Sequence, residues 1–336
     1  MTYYIGLLVW LLFCSVVFKK QNKFQLFLTL LPVFILVGLR DASVGEDTSR
    51  YVSIYEGMDA SNLSLAISDS PYEAGFVVLS WFLKILALGP QWLLLTESFI
   101  FCLSIFLFCS HNAKDKIFVA VAIILTLFEF SLTGVRQTIA ISLLLIAYRY
   151  VVERNLKLYI LFMFLAASCH TSAILIAPVY YLANRGFDKN TVFIYLLVLV
   201  VSFLSIDYLF SAISSSLNYD EKYTLMSLNG GVVSFLVSLG FVYVALKHYK
   251  TNSKNTHFVS GAHHSMLLAF FSALRFVNVM LSRVILYISP IPYLMIDSLE
   301  EKNKTKIIYK RVALLYVFLM FVYRLNYLYP YFFGHV

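Results

Sequence analysis

Charged and polar side chains interrupt apolar sequence at a few isolated points of this chain: Arg40, Arg136-Gln137, Cys169-His170-Thr171-Ser172, Arg275 and Arg283. Guanidinium binds phosphate oxygens two at a time and keeps its charge at any pH of interest. Arginines that meet at one membrane boundary therefore suit a ligand carrying phosphate there. Arg136 lies in the first turn of an expected helix, so the positive end of that helix adds to its own charge. The alternative is that each arginine snorkels alone or pairs with a nearby carboxylate, such as Glu129 for Arg136. His170 admits three readings: a general base, a phosphate ligand, or a histidine that satisfies a helix break. A Cys169/His170 nucleophile pair is disfavoured, because adjacent residues on a helix point apart. Asp41, Glu46 and Asp47 bracket Gly45 on a turn and could deprotonate a hydroxyl nucleophile; the alternative is a solvated acidic loop.

The elements that must position these residues are membrane helices. Of the 336 residues 60% are hydrophobic and 13% charged, too few charges for the polar surface of a soluble domain. The apolar runs are continuous rather than alternating, and hydrogen-bond closure in lipid then requires helices. At about 17 to 25 residues per crossing, the length allows about eleven to twelve full or half-length helices. The expected fold is an all-α polytopic membrane protein, residues 1–336 forming a single membrane domain. Cys14, Cys102, Cys109 and Cys169 lie inside apolar runs without metal-type spacing, as buried free thiols do.

Six basic clusters set the orientation and hold 18 of the 26 Lys and Arg: Lys19/Lys20/Lys23, Lys114/Lys116, Arg149/Arg154/Lys157, Arg185/Lys189, Lys247/Lys250/Lys254 and Lys302/Lys304/Lys306/Lys310/Arg311. Basic residues near span ends are retained on the cytoplasmic side. Spread over short loops, this charge speaks for membrane topology and anionic lipid contact, not nucleic acid. Residues 40–73 then form a long external loop with seven carboxylates and two arginines, and 207–230 a second one containing Asp220, Glu221, Lys222 and Tyr223. Thr2 to Phe18 reads as a retained first span, its charges following the apolar run rather than preceding it. Gly75 to Leu88 is short and carries Lys84, so it reads as an interfacial or re-entrant helix before a true span at Gln91 to Cys109. Leu158 to Leu182 reads as two half-length helices meeting at His170, a junction suited to lining a cavity. Met266 to Ile296 reads as a shallow helix pair turning near Arg275 to Arg283, its descending arm broken by Pro290 and Pro292. Arg40, Arg136, His170, Arg275 and Arg283 are thereby expected at one outer level, beneath the acidic loop.

The order of these motifs resembles a known family. Gly38-Leu39-Arg40, Val44-Gly45-Glu46-Asp47-Thr48 with Tyr51, and Tyr72-Glu73-Ala74-Gly75-Phe76 are similar to the first external loop of EpsG/Wzy-type bacterial polysaccharide polymerases. Val135-Arg136-Gln137-Thr138-Ile139-Ala140 and Ser168-Cys169-His170-Thr171-Ser172-Ala173 resemble that family's Arg-Gln and His-x-Ser-Ala signatures. Arg283 with Tyr287 and the Tyr329-Pro330-Tyr331 tail resemble its closing elements. The family often has proline where Ala74 stands, and a bulkier residue in place of Cys169.

The resemblance implies a GT-C-type glycosyltransferase at the outer face of the bacterial cytoplasmic (inner) membrane. It would join undecaprenyl-diphosphate-linked oligosaccharide repeats into an O-antigen or capsule-like polymer, with no metal or other cofactor. In that reading Arg136 and Arg283 hold the leaving diphosphate, and Gln137 and His170 orient phosphate or acceptor. Arg40 and Asp47 grip sugar or serve as base, with Tyr51, Glu73, Arg275 and Tyr287 in support. The implied partners are the lipid-linked oligosaccharide, membrane lipid and a chain-length regulator protein. A lipid-linked oligosaccharide flippase or exporter, a membrane O-acyltransferase and an O-antigen ligase are the competing readings.

Overall fold

The computed structural model describes residues 1–19, 21–217, 231–276, 281–300, 304–325, 328 and 330–334, with backbone alone for 206–217. Asp220, Glu221, Lys222, Tyr223, Lys302 and Tyr329 lie outside the described residues. The helices are α1 (Thr2–Val17), α2 (Lys23–Gly38), α3 (Thr48–Gly57), α4 (Leu63–Asp69), α5 (Ala74–Ile85), α6 (Gln91–Asn112), α7 (Lys116–Ser131), α8 (Val135–Val152), α9 (Leu156–Cys169), α10 (Val179–Ala183), α11 (Lys189–Leu217), α12 (Gly231–Asn252), α13 (Thr256–Leu274), α14 (Ser282–Ile288), α15 (Ile291–Ser298) and α16 (Lys304–Arg324), with a 3-10 turn at Thr171–Ile176. By length and composition α6, α8 and α12 can each cross a membrane, and several shorter apolar helices accompany them. The protein is an all-α polytopic membrane protein. The four cysteines are free and buried.

Local sequence explains where the helices begin. α2, α7, α9, α11 and α13 start beside the basic clusters, and each start has an Asx side chain accepting a first-turn N–H. Asn22 takes Gln25 N, Asp115 takes Phe118 N, Asn155 takes Leu158 N, Asp188 takes Thr191 N, and Asn255 takes Phe258 N. Such a cap satisfies one of the donors that a helix start leaves unpaired. α8 differs: its start at Gly134 has no side-chain cap.

The chain forms two compact units, residues 1–177 with 302–336, and residues 178–301. In the first, α6 packs on α2 and α8, α8 on α9, and α7 is flanked by α1, α2 and α16. The connections carrying basic residues meet at one end, where Ile117 N donates to Gln21 Oε1 at 3.0 Å and Lys310 Nζ to Asp115 Oδ2 at 2.9 Å. At the other end the 40–73 loop covers the bundle. The C-terminal tail also pairs there: Asp41 N donates to Phe332 O and Gly334 N to Leu39 O, both at 2.9 Å, around a bridge between Arg40 and Phe333. The buried Tyr331 hydroxyl donates to Leu36 O at 3.0 Å and completes the attachment.

In the second unit α13 is central, packed against α10, α11, α12, α14 and α15. The helix pair expected at Met266 to Ile296 is longer on its ascending side than the sequence suggests. The ascending arm begins at Thr256 and runs 19 residues, because Asn255 caps it eleven residues before Met266. Only the descending arm is broken, at Ser289-Pro290 between α14 and α15, where proline cannot continue the hydrogen-bond ladder. α11 extends to Leu217, ten residues past the expected start of the second loop at 207.

Candidate functional site

The 40–73 loop is a packed cap rather than an open turn. Gly45 has φ +97°, and a Cβ on it would lie 1.8 Å from Leu132 O, so only glycine allows this approach to the α7–α8 turn. Beside it the buried Thr48 hydroxyl donates to the same carbonyl at 2.8 Å. These two contacts anchor α3 over the start of α8. Tyr55 then donates to Leu88 O at 2.8 Å, and Lys84 donates to Glu56 O at 3.0 Å, tying α3 to α5. Lys84 is thus accounted for as a tether at the end of α3.

A second close approach sets the other wall. A Cβ on Gly75 would fall 2.2 Å from Ser168 Oγ and 2.8 Å from the Ser168 carbonyl carbon. Glycine there lets the start of α5 cross the end of α9. His170 adopts an extended backbone, φ −155° and ψ 110°, and ends α9. The break thus falls where the sequence places it. The returning arm is a 3-10 turn followed by the five-residue α10, not a second α-helix of similar length. Tyr159, near the start of α9, donates to Ile176 O at 3.0 Å and marks how far the 3-10 turn descends.

Glu73 sits where these walls meet, and both of its oxygens are in use. Oε2 accepts from Arg136 Nη1; Oε1 accepts from Thr171 N at 3.0 Å and Thr171 Oγ1 at 3.3 Å. His170 Nδ1 is 3.2 Å from the same Oε1, close enough for an electrostatic contact but without a well-directed hydrogen bond. Burial alone would raise the Glu73 carboxyl; the His170 ring, the Thr171 amide and the Arg136 guanidinium outweigh it and hold it near 2.

Aromatic rings roof this cluster. Tyr51, Tyr72 and Phe76 pack mutually, with centroids 5.1 to 5.7 Å apart, each such pair contributing about 0.5–1.5 kcal/mol beyond its buried area. The Arg136 guanidinium lies 4.0 Å from the Tyr72 ring centroid, and its Nε donates weakly to Tyr51 Oη at 3.5 Å. Among the described residues its Nη2 has no hydrogen-bond partner, and the side chain keeps 18% of its surface open. The uncapped N–H groups of the first α8 turn add positive potential beside it. Burial pushes the Tyr72 phenol up to about 12 and raises Tyr51, so both hydroxyls stay protonated.

Asp47 precedes α3, half-buried; its carbonyl accepts from Tyr51 N at 3.1 Å, while its carboxylate makes no hydrogen bond or ion pair among the described residues. Its charge reaches both the Tyr51 and the Tyr72 phenols. Glu46 is exposed, and Asp41 is turned onto Ser43 of its own loop. Gln137 is buried at 3% exposure. Arg275 ends α13 and Arg283 lies in the first turn of α14, both half-buried in the second unit; Tyr287 is buried one turn beyond Arg283.

Two expectations are corrected. Arg40 does not reach outward for sugar: it is fully buried, with Nη1 on Val37 O and Nη2 2.8 Å from Glu97 Oε2, itself fully buried. Glu97 is the lone carboxylate of the Gln91 to Cys109 run, and a charge inside a span demands a partner; that signal would have found the pair. Arg136 is not paired with Glu129 either. Glu129 binds Arg324 at 3.2 Å, because α16 packs along α7. Arg50, Tyr72 and Thr171 also belong to the site's surroundings.

Comparison with curated proteins and with solved structures finds no match. The EpsG family model matches residues 3–333, nearly the whole length, and the chain belongs to the EpsG family.

Proposed function

We propose that this protein polymerises undecaprenyl-diphosphate-linked oligosaccharide repeat units by glycosyl transfer at the outer face of the bacterial cytoplasmic membrane. Membership of the EpsG family supports a polysaccharide-polymerase-like role. The observation that carries the finer reading is Arg136: fixed by Glu73, stacked on Tyr72, with one guanidinium edge open beside the uncapped start of α8.

In this reaction an acceptor sugar hydroxyl oxygen attacks the anomeric carbon of the lipid-linked chain. The bond from that carbon to the diphosphate oxygen breaks, and its electron pair leaves with the diphosphate. Negative charge develops on the leaving oxygen, and Arg136 meets it with a preorganised cation. Loss of one such donor lowers rates by about 10²- to 10³-fold. The hydroxyl proton goes to Asp47, whose carboxylate is uncommitted while that of Glu73 is saturated. Glu73 is the positioning residue that fixes Arg136 and Thr171, and His170 beside it orients phosphate or acceptor.

The test is the full-length protein in lipid nanodiscs with purified lipid-diphosphate repeat units, the products separated on a gel. A ladder of polymer from the wild type, absent from Arg136→Ala and Asp47→Asn, is the expected result. Transport without polymer, acylated sugar, or normal ladders from both variants would overturn it.

A further inference from the structure

Arg50 is an exposed cation of the 40–73 loop that the mechanism above does not use. It lies in the first turn of α3, exposed, and among the described residues no carboxylate pairs with it. Its guanidinium carbon is 5.9 Å from the Tyr72 ring centroid, the same ring that lies 4.0 Å from Arg136. One aromatic ring thus carries two guanidinium groups. Tyr72 keeps 9% of its surface exposed, and its hydroxyl makes no hydrogen bond among the described residues, which leaves it as a donor for a ligand. Arg136 has Glu73 to balance its charge; Arg50 has no such partner. α3 is held in place by Gly45 and Thr48 against Leu132 and by Tyr55 against Leu88, so the position of Arg50 is fixed by the packed cap.

We propose that Arg50 and the Tyr72 hydroxyl form a second oxyanion subsite beside Arg136, which grips an acidic group of the lipid-linked substrate. This rests on the polymerase reading and adds a specificity determinant to it. An oxyanion there satisfies the Tyr72 donor and the Arg50 fork together, and a guanidinium fork suits planar carboxylate and tetrahedral phosphate alike. The acidic group is either the second phosphate of the diphosphate or an acid on the sugar.

The experiment measures binding to full-length protein in nanodiscs with three probes: farnesyl diphosphate, farnesyl monophosphate, and glucuronate against glucose. It compares wild type with Arg50→Gln, Tyr72→Phe and Arg136→Gln. Loss of one charge-assisted hydrogen bond weakens binding by about tenfold or more, and loss of the neutral hydroxyl by roughly two- to tenfold. If Arg50→Gln weakens the diphosphate by that factor and spares the monophosphate, the subsite holds the second phosphate. If it abolishes the preference for glucuronate over glucose and spares both lipids, the subsite holds a sugar acid. Both results support the proposal, with Tyr72→Phe moving the same probe by the smaller factor. If Arg50→Gln leaves all probes unchanged while Arg136→Gln loses the diphosphate, the subsite is refuted and the polymerase reading stands. If the wild type binds none of the probes, the polymerase reading fails and the subsite with it. Arg50 is exposed, so its replacement leaves the packing intact.

Discussion

Replacing Glu73 by glutamine separates the roles of shape and charge at the centre of the site. The carboxylate serves two edges: Oε2 meets Arg136, and Oε1 meets Thr171 N and Oγ1. A glutamine has one acceptor oxygen. Turned toward Arg136 it presents its NH₂ to the Thr171 donors, and turned toward Thr171 it presents that NH₂ to the guanidinium. One edge must lose a hydrogen bond to a charged group, a loss of about 1.5–3 kcal/mol. If Arg136 is held in its working position by this bond, the polymerisation rate falls roughly 10- to 150-fold. The variant should still insert and elute as a folded protein, since both side chains are part-exposed, at 18% and 20%. The assay is the rate of ladder growth from purified lipid-diphosphate repeats, with thermal unfolding of the same preparations as control. An unchanged rate at unchanged stability would show that Glu73 does not position Arg136.

The same residue fixes a pH dependence. Its carboxyl is drawn from 4.5 to about 2. A depressed folded-state pKa stabilises the site at pH above the unfolded value, and that stabilisation fades as pH falls through the folded value. The wild-type site should therefore be intact above about pH 5 and weaken only between 4.5 and 2, a slope absent from Glu73→Gln. Thermal unfolding of both proteins across that range reads it directly.

Arg136→Ala is expected to abolish polymer and leave single repeats while the protein still inserts; normal chain length would remove the arginine assignment. Arg40→Ala strands the buried Glu97 charge and should cost about 3–5 kcal/mol of stability, seen as lost folded protein in detergent, whereas Arg40→Met with Glu97→Leu should recover much of it. Gly45→Ala forces a side chain toward Leu132 O at φ +97°, so it should loosen α3 and lower activity, whereas Gly6→Ala, with open space around it, should leave activity unchanged.

Several features were legible because their causes are local. The break at His170 follows from a polar tetrapeptide between apolar arms, and the family signatures are short runs read in order. The interfacial length of α5 follows from twelve residues that cannot span. The misreadings came from long-range pairing. Glu129 lies seven residues before Arg136 in sequence, yet its partner is Arg324, brought alongside by the packing of α16 on α7. The ascending arm of α13 was underestimated because His257, His263 and His264 dilute its apolar pattern, although all but His257 are buried against neighbouring helices.

The amino-acid sequence by itself determined the membrane class and the identity of the polar interruptions, since hydrophobicity and residue type are read over a few residues. Only the tertiary structure decided which carboxylate each arginine serves: Glu73 for Arg136, Glu97 for Arg40, Glu129 for Arg324. A charge away from water takes whichever opposite charge the packing delivers. For Glu73 and Arg136 that delivery rests on two contacts distant in sequence, Gly75 against Ser168 and Gly45 against Leu132.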